Sequence, residues 1–243
     1  MRLNLGFLAM RHYHIFLAFI FLLSLGITQA QTEKKPTENP DSKIIFKSVL
    51  ERYRKLGNWR AKFTQENFSP GLGKGSFNEG MFHYVRNDAL EKFRYSLEGP
   101  EYSDFISNGK EAWQIFFRQG RNKAAEVKHF RNLKNIDLNR YLIFFRGVSR
   151  RSSDIKAIEK NFKISGSLQG SLIILNLEPK TESDIAKIEL VFENHVEAPK
   201  SATITDQLGS TTTIKITSFE GIKNSDNSVF EAKIPSGSKV EEL

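Results

Sequence analysis

The chain has 243 residues, 39% hydrophobic and 26% charged, with 16 Gly and 7 Pro, a balance that excludes collagen-like, low-complexity and wholly disordered classes. Cysteine is absent, which removes a disulfide scaffold, a thiolate metal site, a Cys nucleophile and a lipid anchor on cysteine. The formal charge of +8 is uneven, with 14 basic and 5 acidic residues over 110–163 against 7 and 12 over 164–243; the basic middle reads as a solvated face, or as one that meets an anionic membrane or acidic partner.

Met1 to His14 carries Arg2 and Arg11 without an acid, Ile15 to Ile27 is almost unbroken apolar sequence, and Thr28-Gln29-Ala30 supplies small residues. This pattern predicts a secretory signal peptide over 1–30, cleaved after Ala30. Its apolar core falls short of the ~20 residues that span a bilayer. Residues 31–40 (QTEKKPTENP) read as a flexible leader and 41–243 as one exported, soluble domain.

Asp41 is a candidate N-cap for a helix whose apolar residues Ile45, Val49, Tyr53 and Leu56 recur at helical spacing before Gly57. The period then becomes two. Trp59, Ala61 and Phe63 alternate with polar residues, Phe77, Met81 and Val85 with smaller or polar neighbours, and strand-like runs follow at 93–97, 102–107 and 112–117. Asp137 to Arg146 predicts a helix with five consecutive apolar residues, Tyr141 to Phe145; such a helix must be buried on all sides or cover something apolar. A weaker helix is predicted over 153–160. Strand-like runs resume at 162–167, 172–177, 186–192, 201–205 and 211–219, with a short one at 229–232. Roughly ten short strands separated by Gly-containing turns imply an antiparallel sheet curled on itself, or a sandwich.

Catalytic patterns are lacking. His83, His129 and His195 are widely separated, and none is set beside a carboxylate as a zinc protease requires. The loop Pro70 to Ser76 resembles a phosphate loop superficially, but it has the wrong spacing and joins two strands. Glu98, Glu101 and Asp104 read as a solvated turn, not an acid/base pair. No nucleic-acid motif accompanies the basic middle. The reading is therefore a non-enzyme with no metal and no cofactor. The residue type that stands out is phenylalanine, 20 in all. On a curved sheet with few covering helices, it implies either a filled core or an apolar cavity for lipid.

Leu56 to Gln65 (LGNWRAKFTQ), Gly80 to Arg86 (GMFHYVR), Phe93 to Trp113, Thr205 to Gly209 (TDQLG) and Phe230 to Val240 (FEAKIPSGSKV) follow one another in an order that resembles the LolA family of periplasmic carriers of outer-membrane lipoproteins. The resemblance implies a mainly β fold: an incomplete, unclosed antiparallel β-barrel with a helical lid over an apolar cavity. It further implies a monomeric carrier of acylated lipoproteins, received from an inner-membrane ABC-type release complex and passed to an outer-membrane receptor in the periplasm of a Gram-negative bacterium. Phe93, Tyr95 and Leu97 match the strand that lines the family's cavity, and Leu142, Ile143 and Phe145 match the lid helix. Phe63, Trp113 and Ile115 complete the candidate lipid-binding set. Arg86 matches an arginine that latches the lid through its carbonyls, although Asn87 stands where the family has Pro, and Asn108 where it has Asp. The second reading is a lipid- or peptide-sensing regulatory domain of an envelope-stress pathway, since a lipid-binding fold serves both roles. A receptor of the same fold is disfavoured because its anchor needs a cysteine.

Overall fold

The structure is a computed structural model that describes residues 42–55, 57–73, 75–86, 90–100, 102–118, 120–133, 158–193, 199–223 and 226–243. Helix α1 (Ser42–Lys55) is followed by β1 (Trp59–Phe68), β2 (Phe77–Arg86), β3 (Glu91–Glu98), β4 (Ser103–Ser107), β5 (Ala112–Phe117) and β6 (Ala125–Phe130). After these come β7 (Phe162–Gln169), β8 (Leu172–Pro179), β9 (Ile185–Glu193), β10 (Pro199–Asp206) and β11 (Thr211–Gly221). A short 3-10 helix (Asn227–Phe230) and β12 (Lys239–Glu242) close the chain. The signal peptide, the leader, the Asp41 cap and the helix expected over Asp137 to Arg146 lie outside the described residues.

The twelve strands among the described residues form one sheet in the order β12-β6-β5-β4-β3-β2-β1-β11-β10-β9-β8-β7, with β12 and β7 at its edges. It is mainly β, and the sheet does not close into a barrel, as expected. Two meanders, β1 to β6 and β7 to β11, are joined where β1 pairs with β11. Neighbouring strands run antiparallel except β12, which lies parallel to β6. An edge built from Lys239, Val240, Glu241 and Glu242 is short, charged and exposed along its length, which discourages pairing with another chain. His129 fastens it, with Nδ1 2.9 Å from Glu242 and Nε2 3.0 Å from Glu111. The bonds from Arg131 and His129 hold the Glu242 carboxyl below its ordinary pKa.

Because side chains alternate across a strand, residues directly opposite each other in the ladder share a face. The pairs Trp59↔Tyr84, Ala61↔Phe82 and Phe63↔Gly80 between β1 and β2 therefore put Phe82 and Tyr84 on the core face with Trp59 and Phe63. The sequence pattern pointed to Phe77, Met81 and Val85 for β2. These occupy the other face, where Phe77 is 55% exposed. Gly80 has a specific reason to be glycine: a Cβ there would lie 2.2 Å from Phe63 Cζ, in the space the ring fills.

Helix α1 buries Ile45, Phe46 and Val49 against β7 and β8. It sits close because Gly166 presents no side chain; a Cβ there would meet Leu175 at 3.1 Å and Ile45 at 3.5 Å. Of the helix expected over 153–160, residues 158–160 are described and helical, and the helix runs on to 161. The strand expected at 229–232 is absent. Asp226 accepts from the Ser228 N–H at 2.9 Å and from Ser228 Oγ at 2.6 Å, an Asx cap that begins the 3-10 turn and tucks Phe230 under the sheet.

Candidate functional site

The core face divides by chemistry. On β7 to β11 it is mostly aliphatic, with Leu175, Leu177, Ile188, Leu190 and Ile214 buried around the single buried ring of Phe192, and α1 covers its β7–β8 end. On β1 to β4 it is aromatic. The Trp59 ring lies 5.0 Å from Phe82, 5.7 Å from Tyr84 and 5.2 Å from Phe219. Phe63 stacks on Tyr95 at 5.0 Å, Phe82 on Phe93 at 6.3 Å, and Phe93 meets Phe105 edge-on at 5.4 Å. Such contacts add to the area term that makes aromatic burial strong. Polar groups interrupt this surface at Ser107, opposite Phe93, at Asn78, opposite Gln65, and at Tyr95, whose hydroxyl donates to Gln65 Oε1; desolvation raises the phenol's pKa well above its ordinary value.

Of the residues singled out from sequence, Phe63, Phe93, Tyr95 and Leu97 meet on this aromatic sector. Trp113 and Ile115 do not join them. The register Ile106↔Trp113 and Asp104↔Ile115 puts both on the opposite face. There Ile106, Ile115, Phe117, Ala125 and Val127 form a second cluster, with Trp113 and Ala232 packed on it. Leu142, Ile143 and Phe145 lie outside the described residues; on either side of that segment, Leu133 and Ile158 both pack against the main core. Arg86 ends β2 on the core face, opposite Glu91, with guanidinium and carboxylate 3.9 Å apart. Its backbone N–H donates to Asn58 Oδ1 at 2.9 Å, which fixes the strand end. Sequence reasoning missed Phe82, Tyr84 and Phe105 as members of the sector; the strand pairing of β2 with β1 and of β3 with β4 is the signal that finds them.

The opposite face carries a compact ion cluster. Asp104 is 2% exposed and accepts from Arg94 and from Arg121, each at 2.7 Å. Arg94 also donates to the Val229 carbonyl at 3.2 Å, tying the C-terminal segment to the sheet, and Arg121 donates to Glu98 at 2.8 Å. These arginines line a groove of about 670 Å³ with Lys62, His83, Glu79 and Met81. Burial, then Arg60 and Arg94, lower the His83 pKa below the ordinary value. The unfolded chain therefore takes up the proton more readily than the folded one, so stability should fall as pH drops below about 6.5. Urea unfolding across that range should show a shallower fall for His83→Gln; an identical slope would remove His83 as the cause. Among the described residues no group of three or more His, Asp or Glu side chains is placed to hold a metal ion.

Residues 54–233 match the outer membrane lipoprotein carrier protein LolA family. Comparison with curated protein sequences gave no significant match. Among solved structures, an uncharacterized conserved protein from Thermus thermophilus aligns with TM-score 0.48 and 13% identity over 81% of this chain and 98% of that one. A chain of the Pseudomonas aeruginosa MucA/MucB complex aligns with TM-score 0.47 and 11% identity over 80% of this chain, but only 62% of its own length is matched. A LolA superfamily protein from Nitrosomonas europaea aligns with TM-score 0.40 and 8% identity over 81% and 99%. The family match spans most of the sequence, and the chain belongs to the outer membrane lipoprotein carrier protein LolA family.

Proposed function

We propose that the chain is exported, freed of residues 1–30 and active in the periplasm as a monomeric carrier of acylated lipoproteins from the inner to the outer membrane. The observation that carries this reading is the continuous aromatic sector of β1 to β4, built by Phe63, Phe82, Phe93, Tyr95 and Leu97 on one face of an open sheet. Acyl chains are recognised by dry apolar surface, at about 0.8 kcal/mol per buried CH₂. A carrier that must release them cannot cover whole chains and still let go, so part of that gain is spent in moving the cover. An inner-membrane ABC-type release complex and an outer-membrane receptor would then set the direction of transfer.

Arg86 is the proposed latch, with Leu142, Ile143 and Phe145 as the proposed lid. A guanidinium satisfies several carbonyls in one plane, which Lys does not. Losing hydrogen bonds to a charged donor, at ~1.5–3 kcal/mol, moves an open–closed balance by roughly tenfold or more. Arg86→Leu should fold, accept lipoprotein and deliver it poorly in a reconstituted transfer assay; delivery at the wild-type rate would leave Arg86 as a rim charge. The reading as a whole is tested by mass spectrometry of what co-purifies with the protein from the periplasm. Acylated lipoproteins support the carrier, whereas an inner-membrane regulator without them would point to the sensor.

A further inference from the structure

Two hairpin tips stand side by side at the end of the sheet remote from Arg86. The first joins β1 to β2 and the second joins β10 to β11. Ser69 Oγ and Ser210 Oγ are 3.4 Å apart, and a Cβ on Gly209 would sit 3.5 Å from Pro70 Cγ. Each tip holds a leucine out into solvent, Leu72 at 83% and Leu208 at 85% exposure, and at the adjoining strand ends Phe68 is 45% and Phe77 55% exposed. Four exposed large apolar side chains at one end of the sheet, two of them at adjacent hairpin tips, are not the scattered exposure that an ordinary surface shows.

The second tip is not a floppy loop. Asp206 Oδ1 accepts from the Leu208 N–H at 2.9 Å and the Ser210 N–H at 2.8 Å, and the Asp206 carbonyl accepts from the Gly209 N–H at 3.1 Å. Gly209 holds φ at +81°, which completes the turn. In the first tip the Leu72 N–H donates to the Ser69 carbonyl at 3.1 Å. The N–H groups of both leucines are thus already bonded within the protein.

We propose that these paired tips are a membrane-docking surface that inserts Leu72 and Leu208 into the acyl boundary of a lipid leaflet. A bilayer is the occupant the geometry favours for two reasons. The surface is a narrow convex projection, which a deformable leaflet receives and a folded partner would need a matching pocket to receive. The Leu72, Leu208, Gly209 and Ser210 N–H groups carry internal bonds, so they enter a low-polarity phase without the cost that unbonded amides incur there. The proposal goes beyond the carrier reading and stands whether the aromatic sector holds lipid or not.

The test is flotation of the mature protein with vesicles of phosphatidylcholine, and of phosphatidylethanolamine with phosphatidylglycerol, in high salt that suppresses adsorption by the basic surface. Wild type should float with both. Leu72→Ser and Leu208→Ser should each weaken partitioning on the order of tenfold, from the apolar area lost, and the double variant should remain at the bottom. Val240→Ser, which alters an apolar side chain on β12 that is 43% exposed, should float like wild type. Both leucines are exposed enough that the variants should unfold as wild type does. Failure of wild type to float, flotation that survives the double substitution, or a concentration-dependent dimer abolished by it would overturn the proposal. Binding of a fluorescent acylated peptide, measured in the same variants, reports on the carrier reading separately and should not change.

Discussion

Asp104→Ala should destabilise the fold by about 3 kcal/mol, the lower part of the range for breaking a buried pair, because the two arginines left behind are partly exposed and regain some water. The carboxylate is the common acceptor of Arg94 and Arg121 and is 2% exposed, so its removal leaves two cations facing each other across the space it filled. Arg94 also bonds the Val229 carbonyl, which makes the C-terminal segment the part expected to loosen first. Urea denaturation gives the midpoint, and hydrogen exchange at residues 226–232 reports the local effect. A loss under about 1 kcal/mol would mean that the cluster is effectively solvated, like a surface ion pair.

The second large effect is expected at the centre of the aromatic sector. Phe82→Ala removes a ring that is 1% exposed and lies 5.0 Å from Trp59 and 6.3 Å from Phe93. The expected loss is about 3–5 kcal/mol from transfer and cavity together. If the sector accepts acyl chains, the void is one that a lipid tail fills, and ligand binding to the folded state raises its apparent stability. A fluorescent fatty acid should therefore raise the unfolding midpoint of Phe82→Ala more than that of wild type. An equal shift, or none, would mean that the sector is ordinary closed core.

The family and its open sheet were legible through the ordered motifs that run from Leu56 to Val240, whereas α1 and β1 were legible because their signals are local. The spacing of Ile45 and Val49 marks α1, and the alternation of Trp59, Ala61 and Phe63 marks β1 with its core side. Phe63, Phe93, Tyr95 and Leu97, singled out through the family resemblance, lie together on one face of the sheet. Other strands carry apolar residues at both parities, and there alternation alone decides nothing. In β2, Phe77, Met81 and Val85 compete with Phe82 and Tyr84, and only the pairing with β1 settles which set faces the core. In β5, Trp113, Ile115 and Phe117 are apolar because the opposite face is itself covered, by the segment around Phe230 and Ala232. Two strands carried too little signal. Ala125 to Phe130 offers only Ala125 and Val127 as buried apolar residues, and β12 is held by ladder bonds and the His129–Glu242–Arg131 contacts without a buried side chain.

The carrier reading rests on which face of the sheet meets lipid. Site-specific photocrosslinking tests this most directly, with benzoylphenylalanine placed in turn at Phe93, at Tyr95 and, on the opposite face, at Trp113, in the presence of an acylated lipoprotein. Adducts to the acylated N-terminus are expected from Phe93 and Tyr95 and none from Trp113. Adducts from Trp113 alone, or the same yield with a lipoprotein lacking its acyl chains, would contradict it.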